Sequence, residues 1–384
     1  IVRWTPTFDL TIKSPFCLTI ISNILYIWLY TNFRMKKITA LLIAIIGFFN
    51  SSYSQWNTVN IGTTQDLYSV DYYSSNDIWI GSYNQIIKST NAGANWSITN
   101  PIKDPTNVQI LPANMNDLAL TSANTAIGAG LFFMGNNECI LTTSNAGANW
   151  TIATNNNTVP LLRFINTVDV FSNRAVAAGN NGRLAISSNS GSSWTFVNSG
   201  TIKMINDVKF ISIDTVIAAG EGVILKSLNG GSTWSTITTY TTSYKSVSCK
   251  NNVVYIGSEY DNTILKSTDY GVTYTSMPLP FTSKGIICAI SKDTLMCAAS
   301  DGLYVSKTGG QYWEKYSLAG YKPIKMIDFL TPNDLFAVGD QGYAIKTSNL
   351  ALAPSLPICS FSVQGNSTLC LNDSITLLNH CAPL

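Results

Sequence analysis

Histidine occurs once in this 384-residue sequence, as His380. That scarcity excludes Ser-His-Asp and Cys-His catalysis, and any histidine-ligated metal, from all but the C-terminal end. No CxxC pair occurs either, so the usual thiolate metal site is missing and neither metal nor cofactor is expected. Charge is sparse, at 11% of residues. Beyond Gln55 there are 18 basic and 20 acidic residues and only three arginines, Arg163, Arg174 and Arg183. No basic patch argues for nucleic acid. The longest apolar candidate for a membrane span, Phe16–Tyr30, has 15 residues, short of the roughly 20 that a bilayer core requires, so no span is expected in the mature protein.

Ser, Thr, Asn and Gly are abundant instead, together with Val, Ile, Tyr and Trp, which is the palette of a β-protein rich in turns. Met35, Lys36 and Lys37 form a positive segment, residues 38–49 an apolar one, and Asn50–Ser54 a small-residue stretch with Ser52 and Ser54 at the −3 and −1 positions. This is the pattern of an export signal cleaved before Gln55, with residues 1–34 read as an over-extended reading frame, and it implies a secreted or cell-surface protein. Cys17 leaves with the leader, so seven of the eight cysteines remain and one is unpaired within the chain. Cys288 and Cys297 flank the turn SKDT. With Lys292 and Asp293 as its central pair the two cysteines fall directly opposite, as a bridge or as two buried thiols.

The chain repeats one short phrase: STNAGANW (Ser89–Trp96), TSNAGANW (Thr143–Trp150), SSNSGSSW (Ser187–Trp194), SLNGGSTW (Ser227–Trp234), STDYGVTY (Ser267–Tyr274), SKTGGQYW (Ser306–Trp313) and a frayed TSNLALAP (Thr347–Pro354). The closing aromatics are 54, 44, 40, 40 and 39 residues apart, a period typical of a propeller. The Ser or Thr hydroxyl and the Asn or Asp two residues on (Asn91, Asn145, Asn189, Asn229, Asp269) suit the amides of a reversal. The glycine (Gly93, Gly147, Gly191, Gly231, Gly271, Gly310) accepts a positive φ. The aromatic (Trp96, Trp150, Trp194, Trp234, Tyr274, Trp313) starts the next strand and fills the gap between adjacent sheets.

This phrase resembles the Asp-box, or bacterial neuraminidase repeat, and a unit such as Asp207–Trp234 is similar to those of photosystem II assembly factor propellers. The resemblance implies an all-β, seven-bladed propeller of four-stranded blades over residues 55–353. Within unit four the strands are expected at VKF, TVIAAG, VILKS and WSTIT, running outward. The last box lacks its aromatic, and QWNTV (Gln55–Val59) is a spare Trp-led strand, so Trp56 is expected to replace the missing ring and close the circle. Residues 354–358 read as a Pro-rich linker. Residues 359–384, with Cys359, Cys370 and Cys381, resemble the opening of a PKD-type, immunoglobulin-like module; such modules often precede a type IX secretion tail.

Asp-boxes occur in sialidases, xyloglucanases, sortilins and non-enzymatic assembly factors alike, so the fold leaves function open. A sialidase would need arginines converging from different blades, whereas all three here fall in unit three. A two-carboxylate glycosidase remains the runner-up. Asp71, Asp169 and Asp328 recur in the innermost strands, where they either act as such acids or bind neighbouring backbone amides; Lys209 and Cys288 interrupt the series. No catalytic residue is assigned. A protein or glycan partner is expected on the face opposite the boxes, contacted by the long loop of unit two (Phe132, Phe133, Met134, Asn136, Asn137, Glu138) and by Tyr83, Arg183, Tyr260 and Asp261 in the short ones. The expected whole is a monomeric, non-catalytic propeller within a longer chain.

Overall fold

The structure, a computed structural model, describes residues 56–99, 102–103, 113–132, 139–153, 165–316, 318, 320–332, 334–347, 359–364 and 376–381. Apart from two three-residue 3-10 turns, Asn180–Gly182 and Asp340–Gly342, every regular element among them is a β-strand. Five antiparallel sheets have four strands, one has six and one is a two-stranded hairpin. The first unit sets the pattern: Leu67–Tyr72, Ile78–Ser82, Gln85–Ser89 and Ser97–Thr99 pair in chain order.

The six-stranded sheet departs from the expected one-strand-per-segment reading. Val216–Ser227 supplies the second and third positions of unit four, its first half pairing with Ile205–Phe210 and its second half with Ser235–Lys250. Ser235–Lys250 pairs first with that strand and then with Val253–Ser258, so it ends unit four and begins unit five without a break. The inner strands are then Leu67–Tyr72, Ala113–Leu120, Ile165–Phe171, Ile205–Phe210, the second half of Ser235–Lys250, Ser283–Ala289 and Ile324–Thr331. Each touches the next, and the last touches the first.

The core is divided among the seams of this ring. Each seam holds one apolar cluster, and each cluster holds one aromatic from a box or its substitute. Trp150 packs on Trp79 and Ile86 of unit one, Trp194 on Ile127 and Ala129 of unit two, and Trp234 on Val176 of unit three. Tyr274 joins Ile217 of unit four, Trp313 joins Tyr255 of unit five, and Trp96 meets Phe336 of unit seven. Trp56 lies in the remaining cluster with Met296 and Ile345, its ring 6.5 Å from that of Tyr316. Beside it Asn57–Thr58 pairs with Ile345 and Lys346, so the N-terminal strand fills the outer place of unit seven. Sheet edges that would otherwise recruit other chains are thereby covered.

The two cysteines of unit six do not face each other. Ala289 pairs with Leu295, leaving a reversal of five residues, an odd number, so Cys288 sits opposite Met296 and Cys297 opposite Ile287. A one-residue offset sends the side chains to opposite sides of the sheet. Both thiols are free and buried, Cys288 in the seam with unit seven and Cys297 in the seam with unit five.

Residues 54–351 form one compact unit. In the C-terminal segment Cys359–Gln364 pairs with Thr376–Cys381, Cys359 opposite Cys381. The leader, Arg163 and Cys370 lie outside the described residues.

Candidate binding face and axial channel

The boxes are structural devices. In unit three the buried Ser187 Oγ accepts the amides of Gly191 (2.9 Å) and Asn189 (3.3 Å) and donates to Asn189 Oδ1 (2.9 Å), which in turn accepts the amide of Ser193 (2.9 Å). Units one, two, four and five repeat this set through Asn91, Asn145, Asn229 and Asp269. Trp194, Trp234 and Trp313 donate their indole N–H to the carbonyl of the box glycine. In unit six Thr308 replaces the Asn and accepts the Tyr312 amide at 2.9 Å.

Carboxylates line the axis, where inner strands converge. The Asp71 carboxylate accepts the amide of Leu120 in the next unit (2.6 Å), Asp169 that of Phe210 (2.7 Å) and Asp328 that of Tyr72 (3.2 Å). One step earlier on the strand, Asp117 accepts the amide of Val168 (3.0 Å) and Asp207 that of Val247 (2.7 Å). Unit five does the same work with hydroxyls: Ser246 and Ser248 accept the amides of Ile287 and Ala289. Sequence reasoning missed this second tier because Asp117 and Asp207 align with Ser69 and Thr167, residues of different chemistry. Two tiers of side chains thus staple unit to unit, which is the amide-binding alternative for Asp71, Asp169 and Asp328.

The channel is electrostatically loaded. Lys209 is the cation among these carboxylates; its ammonium lies 3.1 Å from Asp169, with side-chain exposures of 28% and 19%, so water reaches the pair. Burial opposes the lysine's charge, but attraction from Asp169, Asp207 and Asp117 outweighs it and lifts the pKa above the ordinary value. Burial also raises the carboxyls, Asp207 to about 7 and Asp328 to about 6. For Asp71 burial acts first and the neighbouring Asp328 adds to it.

On the face opposite the boxes lie the turns between second and third strands and the connections between units. There Lys325 Nζ sits 2.7 Å from both Asp66 and Asp340 and 4.3 Å from the centre of the Tyr68 ring. Asp66 also accepts the Gln341 amide (2.8 Å), and these bonds, the lysine's first, hold its carboxyl below the ordinary range. This latch ties unit seven to the segment entering unit one. Two nearby carboxylates are present, as a glycosidase requires, but both are ion-paired to the same lysine.

Tyr83 and Tyr260 are exposed on this face, by 39% and 75%. Asp261 sits beside Tyr260. Burial raises its pKa, while hydrogen bonds led by Ser258 and Thr263 bring it below the ordinary value. Arg183 opens the third strand of unit three on the same face. These residues come from units one, three and five and so stand around the rim rather than in one cleft. Phe132 is the last strand residue before the long loop, paired with Ala113, not a loop residue. Phe133, Met134, Asn136, Asn137 and Glu138 lie outside the described residues. Arg174 points to the box face, where it pairs with Asp214.

A family model described as Photosynthesis system II assembly factor YCF48 matches residues 49–209. A search of curated proteins finds no match. Among solved structures, YCF48 bound to a D1 peptide is similar with a TM-score of 0.62 at 14% identity, over 78% of this chain and 98% of that one. YCF48 from Cyanidioschyzon merolae gives 0.59 at 14% identity, over 77% and 98%. The GH74 xyloglucanase from Xanthomonas campestris gives 0.59 at 12% identity, over 78% of this chain but 54% of its own. At such identities the likeness is one of fold: an all-β propeller of the assembly-factor type, a fold on which GH74 enzymes are also built.

Proposed function

We propose that the chain is an exported, non-catalytic propeller that holds a protein segment on the face opposite its boxes, as one part of a longer secreted or surface protein whose residues 359–384 open an immunoglobulin-like module. The observation that carries this reading is how the ionisable groups are used. The axial carboxylates hold backbone amides of neighbouring units, and Asp66 and Asp340 hold Lys325. The face also presents the exposed rings of Tyr83 and Tyr260. The solved YCF48 complex with a D1 peptide supports a peptide-like partner. A photo-reactive residue placed at Tyr83 or Tyr260 in the protein made by its own host is expected to capture one defined polypeptide, identified by mass spectrometry. Capture equally frequent from the box-face position Thr90 removes the assignment to this face.

A second reading, a glycoside hydrolase, is favoured by Asp207 and Asp328, whose carboxyls burial pushes up to about 7 and about 6, and by the GH74 neighbours. Hydrolysis of xyloglucan or another polysaccharide that disappears in Asp207→Asn, with the fold intact, establishes it over the first.

A further inference from the structure

The box face has a property that the repeat does not require. In units one to three the variable letters of the box are Thr, Ala, Asn and Ser. In units four to six they bring out large side chains: Leu228 is 70% exposed, Tyr270 48%, Val272 54% and Tyr312 58%. Tyr270 occupies the left-handed region, φ +61, at the box position where the other full copies have Ala92, Ala146, Ser190, Gly230 and Gly309. A bulky aromatic there is disfavoured, and the turn forms without it elsewhere in the chain, so local folding does not explain the ring.

Next to Leu228 in the chain, Asn229 and Gly230 line a cleft of 220 Å³ between the boxes of units three and four. Its lining is mostly hydroxyl and amide: Ser188, Ser193, Thr195, Asn229 and Ser232, with the Arg174 guanidinium among them. One nitrogen of Arg174 is pinned by Ile213 O (3.0 Å) and Asp214 Oδ1 (2.9 Å). Gly230 makes room for it, since a Cβ there would lie 2.4 Å from that nitrogen. The cleft is smaller than the roughly 300 to 1,000 Å³ of a site for a drug-sized molecule, and suits a single ring bearing hydroxyls. Two of the charges on this face are already paired, Arg174 with Asp214 and Lys292 with Asp293, and the cleft itself holds no charged group besides Arg174.

We propose that the box face of units three to six binds a neutral polysaccharide, one sugar seated in the Arg174 cleft and neighbouring residues of the glycan meeting the exposed rings of Tyr270 and Tyr312. Donors and acceptors match hydroxyl groups, and tyrosine combines an apolar ring with a polar tip. This surface is on the opposite face from the protein site proposed above and stands or falls separately from it.

The test is affinity electrophoresis of the whole propeller in gels containing xylan, galactomannan or mixed-linkage β-glucan. Retardation by at least one of them is expected. Ser232→Leu, which fills the cleft from an exposed position, and Tyr270→Gly should each weaken it about tenfold, while Ile202→Ser on the other face leaves it unchanged. Tyr270→Gly should also melt no lower than the parent, because glycine relieves the backbone; loss of binding without loss of stability separates recognition from folding. Free migration in all three gels, or retardation kept by both box-face variants, overturns the proposal, and a protein occupant of this strip would give the first result.

Discussion

The boxes and the axial strands both recur around the ring, yet only the boxes recur in letters. A box solves a local problem, three amides held by side chains within eight residues, and each solution needs a hydroxyl, a second side-chain oxygen two residues on and a glycine at fixed spacing. At the axis a strand must only hold its neighbour, and Asp71, Asp169, Ser248 and Asp328 do so with different groups, while Lys209 in the same place instead neutralises the carboxylates around it. Seam packing lies between these cases: an aromatic is required, but Trp56 from the far end of the chain serves as well as one from a box. Local geometry is repeated in sequence, and collective geometry is shared out.

Removal of residues 55–59 should break the comparison most severely. It strips Trp56 from its cluster and unpairs Ile345 and Lys346, and the expected outcome is loss of the single cooperative transition in thermal melts. Trp150→Ala should cost about 3 to 5 kcal/mol in denaturant unfolding, since the ring is fully buried against Trp79, 6.4 Å away. Lys209→Met leaves the axial carboxylates uncompensated. A cost of about 2 to 4 kcal/mol at pH 8 is expected, below that of a sealed pair because water reaches the channel. At pH 5 the cost should shrink, as Asp207 and Asp328 then carry protons. Ser187→Ala, which orphans two amides of one turn, should cost about 1 to 2 kcal/mol, and the other units should not notice.

A further effect is a slope. Folding raises the Asp207 pKa from an ordinary 3.8 to about 7, so between those values the folded state binds more protons than the unfolded one. Its stabilising contribution is complete below pH 3.8 and is lost as pH rises through about 7. The melting temperature should therefore fall between pH 5 and pH 8, and Asp207→Asn should flatten that fall; a profile as steep in the variant as in the parent would assign the slope to other groups.

Legibility followed the range of the interaction. The strand order within a unit and the box turn were readable from KSTNAGANW and its copies, because their contacts join residues close in the chain; the aromatic was readable by its recurrence, although it packs on the preceding unit. The continuous run from Ser235 to Lys250 was not, since nothing in its Thr-rich letters marks where unit four stops. Nor was the register of Cys288 and Cys297, which one extra residue in the reversal decides. At the rim, Tyr83 and Tyr260 could be named from their turns, but the latch of Lys325 with Asp66 and Asp340 joins residues some 260 positions apart.

By itself the sequence determined a repeated hairpin, its spacing and its polar turn, because side-chain hydrogen bonds over two to four residues do not depend on what lies beyond them. The tertiary structure decided which carboxylates meet at the axis, which of them hold amides and which face Lys209. Those outcomes depend on the convergence of inner strands drawn from residues 67 to 331, where a group's charge and partners are set by burial and by neighbours that no local pattern names.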